Sequence, residues 1–131
     1  IIYDPVERRI NFIDLHRSRY MDYVQDVSVF MVSNYRLQIL DPAQRRRIMR
    51  LATDFYRMAK GYADDVEDHG FHFRLALGLA RSFVTSTRFI LDKSLARKMF
   101  LRARYLIELF VAADPRRTGR FRVPIKEIFI G

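Results

Sequence analysis

The residues in this chain best placed to do chemistry are Asp114, Thr118 and Gly119, which fall at the first, fifth and sixth positions of a stretch shaped like a calcium-binding helix-loop-helix. A working loop of that kind opens on an acidic residue, adds oxygen donors at positions three and five, and turns sharply at a glycine in position six. Position three here is Arg116, a permanent cation with five donors and no acceptor, which repels the ion it would have to ligate. Position nine is Arg122 and position twelve is Ile125, where calcium requires a bidentate carboxylate. The residues therefore predict a degenerate EF-hand-like turn over Asp114, Arg116, Thr118, Gly119 and Arg120, with the metal lost and no cofactor in its place.

Other constellations are thin. Asp64, Asp65, Glu67, Asp68, His69 and His72 form the one local group with metal-ligand chemistry, but Gly70 separates the histidines and the carboxylates fall at a helix end, so a solvated acidic turn is expected. Ser82, Ser86 and Ser94 lie in neither a Gly-x-Ser-x-Gly nor a Ser-x-x-Lys context, and the five glycines are scattered singly, which leaves no phosphate-cradling loop. With no cysteine there is no disulfide scaffold, thiol nucleophile or cysteine-ligated zinc, and a reducing, cytoplasmic compartment is mildly favoured. The expectation is a protein that is not an enzyme.

Charge points another way. The net charge is +9, and of 24 basic residues only Lys60, Lys93, Lys98 and Lys126 are lysines, leaving 20 arginines. Arginine makes bidentate phosphate contacts, so Arg45, Arg46, Arg47 and Arg50 on one helix are candidate nucleic-acid or partner contacts, and an RNA- or ribosome-associated helical protein is the alternative reading. A solvated, arginine-rich surface explains the same composition, because the arginines are spread over most of the chain.

The elements that must position these groups read as helices. Asp41-Pro42 is an N-cap followed by proline at the first helical position, and Ile48, Leu51, Ala52, Phe55, Met58 and Ala59 then define an apolar stripe opposite Arg46, Arg47, Arg50, Arg57 and Lys60. Gly61 offers an end, with Tyr62, Ala63 and Val66 allowing a further turn or two. Asp92 caps a helix running to about Ala112, with Leu95, Met99, Ala103, Leu106, Ile107 and Phe110 buried and Asp114-Pro115 as its stop. Between them Gly70 to Phe89 is apolar nearly all round, the mark of a central helix. From Asn11 to about Ile39 the three- and four-residue spacing predicts a long helix or two abutting ones, although Val27 to Val32 alone suits a strand. Phe71, Phe73, Phe89, Phe100, Phe121 and Phe129 fall off or beyond the main stripes and are expected to contribute an exposed contact surface.

The C-terminal stretch resembles the B''-type regulatory subunits of protein phosphatase 2A, especially the branch with the plant FASS/TONNEAU-like proteins. Those proteins run an apolar, aromatic helix into an Asp-Pro-x-Arg-Thr-Gly-Arg/Lys loop and then a short Ile-x-Ile-Arg/Gln-Glu/Asp-Ile-Leu type segment. The matching residues are Leu106 to Phe110, then Asp114, Pro115, Arg117, Thr118, Gly119 and Arg120, then Val123 to Phe129. Phe121-Arg122 departs from the pattern as an insertion, which unsettles the twelfth-position carboxylate. The resemblance implies a non-catalytic regulatory or scaffolding domain that contacts protein partners, the phosphatase scaffold and catalytic subunits among them. Asp4-Pro5 to Leu15 echoes the same outline, and Arg9-Ile10-Asn11-Phe12 resembles an Ile-Asn-Tyr segment of that family, so a second degenerate hand stands there beside coincidence.

At 131 residues, half of them hydrophobic, the chain holds one domain's worth of core, and the expected fold is all-α: an array of four to five helices ending in the EF-hand-like helix-loop. It starts at Ile1 without methionine and stops at Gly131 as an apolar segment begins, which suggests a piece of something longer. No run approaches the roughly eighteen apolar residues that would cross a bilayer, so a soluble chain with no membrane partner is expected.

Overall fold

The computed structural model describes residues 2–13, 20–39 and 41–129. It is an all-α array preceded by a small hairpin. Strand β1 (Ile2–Asp4) pairs antiparallel with β2 (Arg9–Asn11), Tyr3 opposite Ile10. Five helices come next: α1 (Tyr23–Tyr35), α2 (Pro42–Asp65), α3 (Phe71–Thr87), α4 (Lys93–Ala112) and the short α5 (Ile125–Phe129), with a 3-10 helix over Pro115–Arg120 between the last two.

The hairpin corrects one expectation and decides between two open readings. In place of a helix from Asn11, that residue lies in the ladder, and in place of a second degenerate hand, the Asp4-Pro5 outline closes a β-turn. The Asp4 carboxylate accepts from the amides of Val6 and Glu7 at 2.9 and 3.1 Å, and Arg8 sits at φ 52°, a left-handed conformation that reverses the chain so that the strands pair. Leu15 and His16 lie outside the described residues. The helix proper begins at Tyr23, where the Asp22 carboxylate caps it by accepting from the amide of Val24, and it ends at Tyr35, short of Ile39. Val27 to Val32 is helical, as the spacing predicted.

The other starts obey their caps. Asp41 accepts from the amide of Gln44 at 2.7 Å ahead of Pro42, and Asp92 accepts from those of Ser94 and Leu95. Helix α2 passes through Gly61 to Asp65 and ends in a Schellman turn, in which the amide of Asp68 bonds the carbonyl of Ala63 and Glu67, not glycine, takes the left-handed position at φ 54°.

Helix α3 is central. It packs on α1 and on α4, and Phe71, Leu75, Leu79 and Phe83 are fully enclosed. At the α1–α3 crossing the buried Ser28 faces Gly78, and a Cβ on that glycine would lie 2.9 Å from the Ser28 hydroxyl. The hydroxyl is itself engaged, donating to the Gln25 carbonyl and meeting Ser82 Oγ at 3.3 Å. Only hydrogen fits at position 78 while these helices keep their spacing.

The α2 stripe is offset from its prediction. Ala52, Ala59 and Ala63 are the buried positions, whereas Leu51 and Met58 are exposed, because small side chains let the helix lie close while the larger ones fall at its margin. On α4, Met99, Ala103 and Leu106 are buried but Ile107 is exposed. The off-stripe phenylalanines divide. Phe71 and Phe129 are buried, Phe73 packs against Phe110 and meets Phe121 edge to face, and Phe89 and Phe100 face solvent as expected. No helix among the described residues is long and apolar enough to cross a membrane.

Candidate functional site

The C-terminal turn is built around Asp114. Its carboxylate accepts from the Arg116 amide at 2.9 Å and its carbonyl from the Arg117 amide, which starts the 3-10 helix, and Arg117 Nε lies 3.6 Å from the same carboxylate. The side chain that would open a calcium loop is thus spent on its own backbone and on a guanidinium. Thr118 closes the turn by accepting the Phe121 amide on its carbonyl, Arg116 and Arg120 are exposed, and Gly119 lies against the α2–α3 turn, where a Cβ would meet Cβ and the carbonyl oxygen of His69 at 3.7 Å. The chain then leads into α5, whose Ile128 and Phe129 are buried, the latter against the rings of Tyr35 and Phe83. Arg102 of α4 holds α5 by donating from Nε to the Ile128 carbonyl at 2.7 Å.

The acidic group at 64–72 is dispersed by the fold. Asp64 pairs with Lys60 one turn earlier, and Asp68 turns the other way, into a knot with Arg74. The Arg74 guanidinium donates to both oxygens of Asp68 at 2.8 Å and to both of Asp22 at 2.6 and 3.2 Å, while Tyr23 donates its hydroxyl to Asp68 at 2.6 Å. Arg74 holds Asp68 down to about 2 and also lowers Asp22; burial and the bond to Asp68 raise Tyr23. This knot ties the start of α1, the α2–α3 turn and α3 together. Sequence reasoning missed it, since Arg74 is 52 residues from Asp22.

His72 enters the core. Its Nδ1 faces the Val123 amide at 3.4 Å, a long bond that receives the C-terminal turn, and Nε2 is buried without a partner among the described residues. Burial first, then the nearby charges of Arg122 and Lys60, push the ring down to about 4, so it is neutral at physiological pH. No three His, Asp or Glu side chains among the described residues lie close enough together to hold a metal.

A groove of about 820 Å³ lies between α2, α4 and α5. Arg45, Arg46, Arg50 and Arg57 line its α2 wall, Arg102 the opposite side, and Tyr35 and Phe129 the floor. Of the four arginines singled out from the sequence, the fold brings three together here and leaves Arg47 out. Arg57 was legible from its helical spacing; Arg102 was not, because it arrives from another helix.

These cations have different duties. Arg45 donates to the Leu37 carbonyl at 2.8 Å and lies over the Tyr35 ring, and Arg102 lies over the same ring at 4.9 Å, so both serve as walls. Arg57 holds Asp54 at 2.7 Å, which neutralises the one carboxylate in the groove. Arg46 and Arg50 are exposed and engage no group among the described residues. The arrangement can bind an anion through guanidinium forks. No family model, curated protein or solved structure matches this chain.

Proposed function

We propose that the chain is a non-catalytic regulatory or scaffolding domain that mediates protein–protein contacts, of EF-hand-like architecture and resembling the B''-type regulatory subunits of protein phosphatase 2A. The observation that carries this reading is the side-by-side placement of two helix-turn-helix units, α2–α3 and α4–α5, whose turns touch through Gly119 and His69 and through the Val123 amide and His72. In the second unit, the Arg116 amide bonds the Asp114 carboxylate that a calcium ion would need and the Arg117 guanidinium lies beside it, which supports a turn kept as architecture. A surface for partners is available on α4, where Phe100, Ile107 and Val111 are exposed at seven- and four-residue spacing on one face.

Two measurements test it. Immobilised phosphatase scaffold subunit, alone and with its catalytic subunit, is expected to retain the purified chain, and absence of retention by either would sink the phosphatase assignment. Millimolar calcium is expected to give no saturable heat and no change in melting temperature, since a ligand of the folded state must raise apparent stability. A saturable micromolar site abolished by Asp114→Ala would overturn the loss of the metal.

A further inference from the structure

We propose that the groove along α2 is a binding site for the phosphate backbone of a nucleic acid, engaged without reading its bases. Arg46, Arg50 and Arg57 follow one line along the helix, and at 1.5 Å per residue the eleven steps from the first to the last span about 16 Å. That is the shape of a track for a chain of charges. A cup for one anion would gather the same groups at a point.

The cations of the groove are all arginines, whose planar forks match phosphate oxygens bidentately. The single carboxylate there, Asp54, is already held by Arg57, and Arg46 and Arg50 project into solvent with their donors uncommitted among the described residues. An acidic protein segment offers similar spacing, but the rest of the molecule favours nucleic acid. A net charge of +9 and an isoelectric point near 10.3 spread a steering field far beyond one groove, as a long polyanion requires and a short peptide does not.

The floor gives bases no stacking platform. Tyr35 is 6% exposed, with Arg45 and Arg102 lying over its ring, and Phe129 is buried, so neither offers a free face on which a base could stack. Affinity must then come from counterion release, with little dependence on sequence. The proposal goes beyond the scaffolding reading and stands or falls separately from it.

The test is fluorescence anisotropy of the full chain with a labelled mixed-sequence RNA, a DNA duplex and a polyglutamate peptide of equal charge, from about 50 to 200 mM salt. The expected result is binding to both nucleic acids with less than about tenfold discrimination among sequences, and a steep salt dependence. Arg46→Ala with Arg50→Ala should weaken it about tenfold and reduce the salt slope by about two. Arg116→Ala with Arg120→Ala removes the same charge from the C-terminal turn and should change affinity less than about twofold. All four residues are exposed, and circular dichroism checks that each variant folds. Equal loss in both double variants, no binding at low salt, sequence discrimination beyond tenfold, or tighter binding to polyglutamate would each overturn the proposal.

Discussion

The two ends of the molecule begin from the same words and finish in different structures. Asp4-Pro5 and Asp114-Pro115 each use the aspartate to catch the amide two residues on, at 2.9 Å in both cases, and each leads into basic residues and an apolar segment. At the N-terminus Arg8 turns left-handed and the chain folds back as a ladder, with Ile10 in it and Phe12 just beyond it 60% and 65% exposed. At the C-terminus no residue of the turn takes a positive φ, although Arg117 kinks it, and the chain runs on to bury Ile128 and Phe129 at 1% and 4%. The Asp-Pro turn is local chemistry. The fate of the chain beyond it depends on whether a surface is waiting, and among the described residues the second turn meets one made of His69, His72 and Phe73.

The sharpest way to strain this contrast is to cut back one phenylalanine at each end. Phe129→Ala should cost about 3–5 kcal/mol in urea unfolding, because it empties a site between Tyr35 and Phe83, while Phe12→Ala should stay within about 0.5 kcal/mol. Equal losses would mean that the hairpin is docked as firmly as α5.

Acid should loosen the C-terminal side first. His72 binds its proton at about 4 when folded and near 6.5 when unfolded, so between those values the unfolded chain holds more protons and stability falls as pH falls. The imidazolium can no longer accept from Val123, and it faces Arg122 and Lys60, with Asp64 as partial compensation. Asp68, depressed to about 2, adds a second loss from roughly pH 4 downward. Thermal melts of His72→Phe should be flat with pH from about 6.5 to 4.5, where the parent declines; a parallel decline in both would remove His72 from the account.

The smallest effect concerns the caps. Asp114→Ala should cost about 1 kcal/mol, as the loss of a capping carboxylate does, whereas Asp4→Ala should leave the melting transition of the helical body in place. A shift of similar size for both would show that the hairpin and the helices unfold together.

Much of the helical body was legible. Asp41-Pro42 and Asp92 announced two helices, and the stretch of Phe71 to Val84, apolar nearly all round, announced the central one, because caps and periodicity are written in neighbouring residues. The hairpin was not legible. Its turn has no glycine, its strands are three residues each, and Ile10 and Phe12 also satisfy a helical spacing. Of the groove, the line of arginines on α2 could be read, but Arg102, Tyr35 and Phe129 come from three other helices. The Arg74 knot was hidden for the same reason, since long-range ion pairs leave no local pattern.

The contact between Gly78 and Ser28 has a consequence for descent. A lineage that gains any side chain at position 78 must first, or in the same step, lose the hydroxymethyl group at 28, or else let the two helices drift apart and surrender the tie between Ser28 and Ser82. The two sites are therefore expected to change as a pair, and a homologue with alanine at the first position should be found to carry glycine at the second.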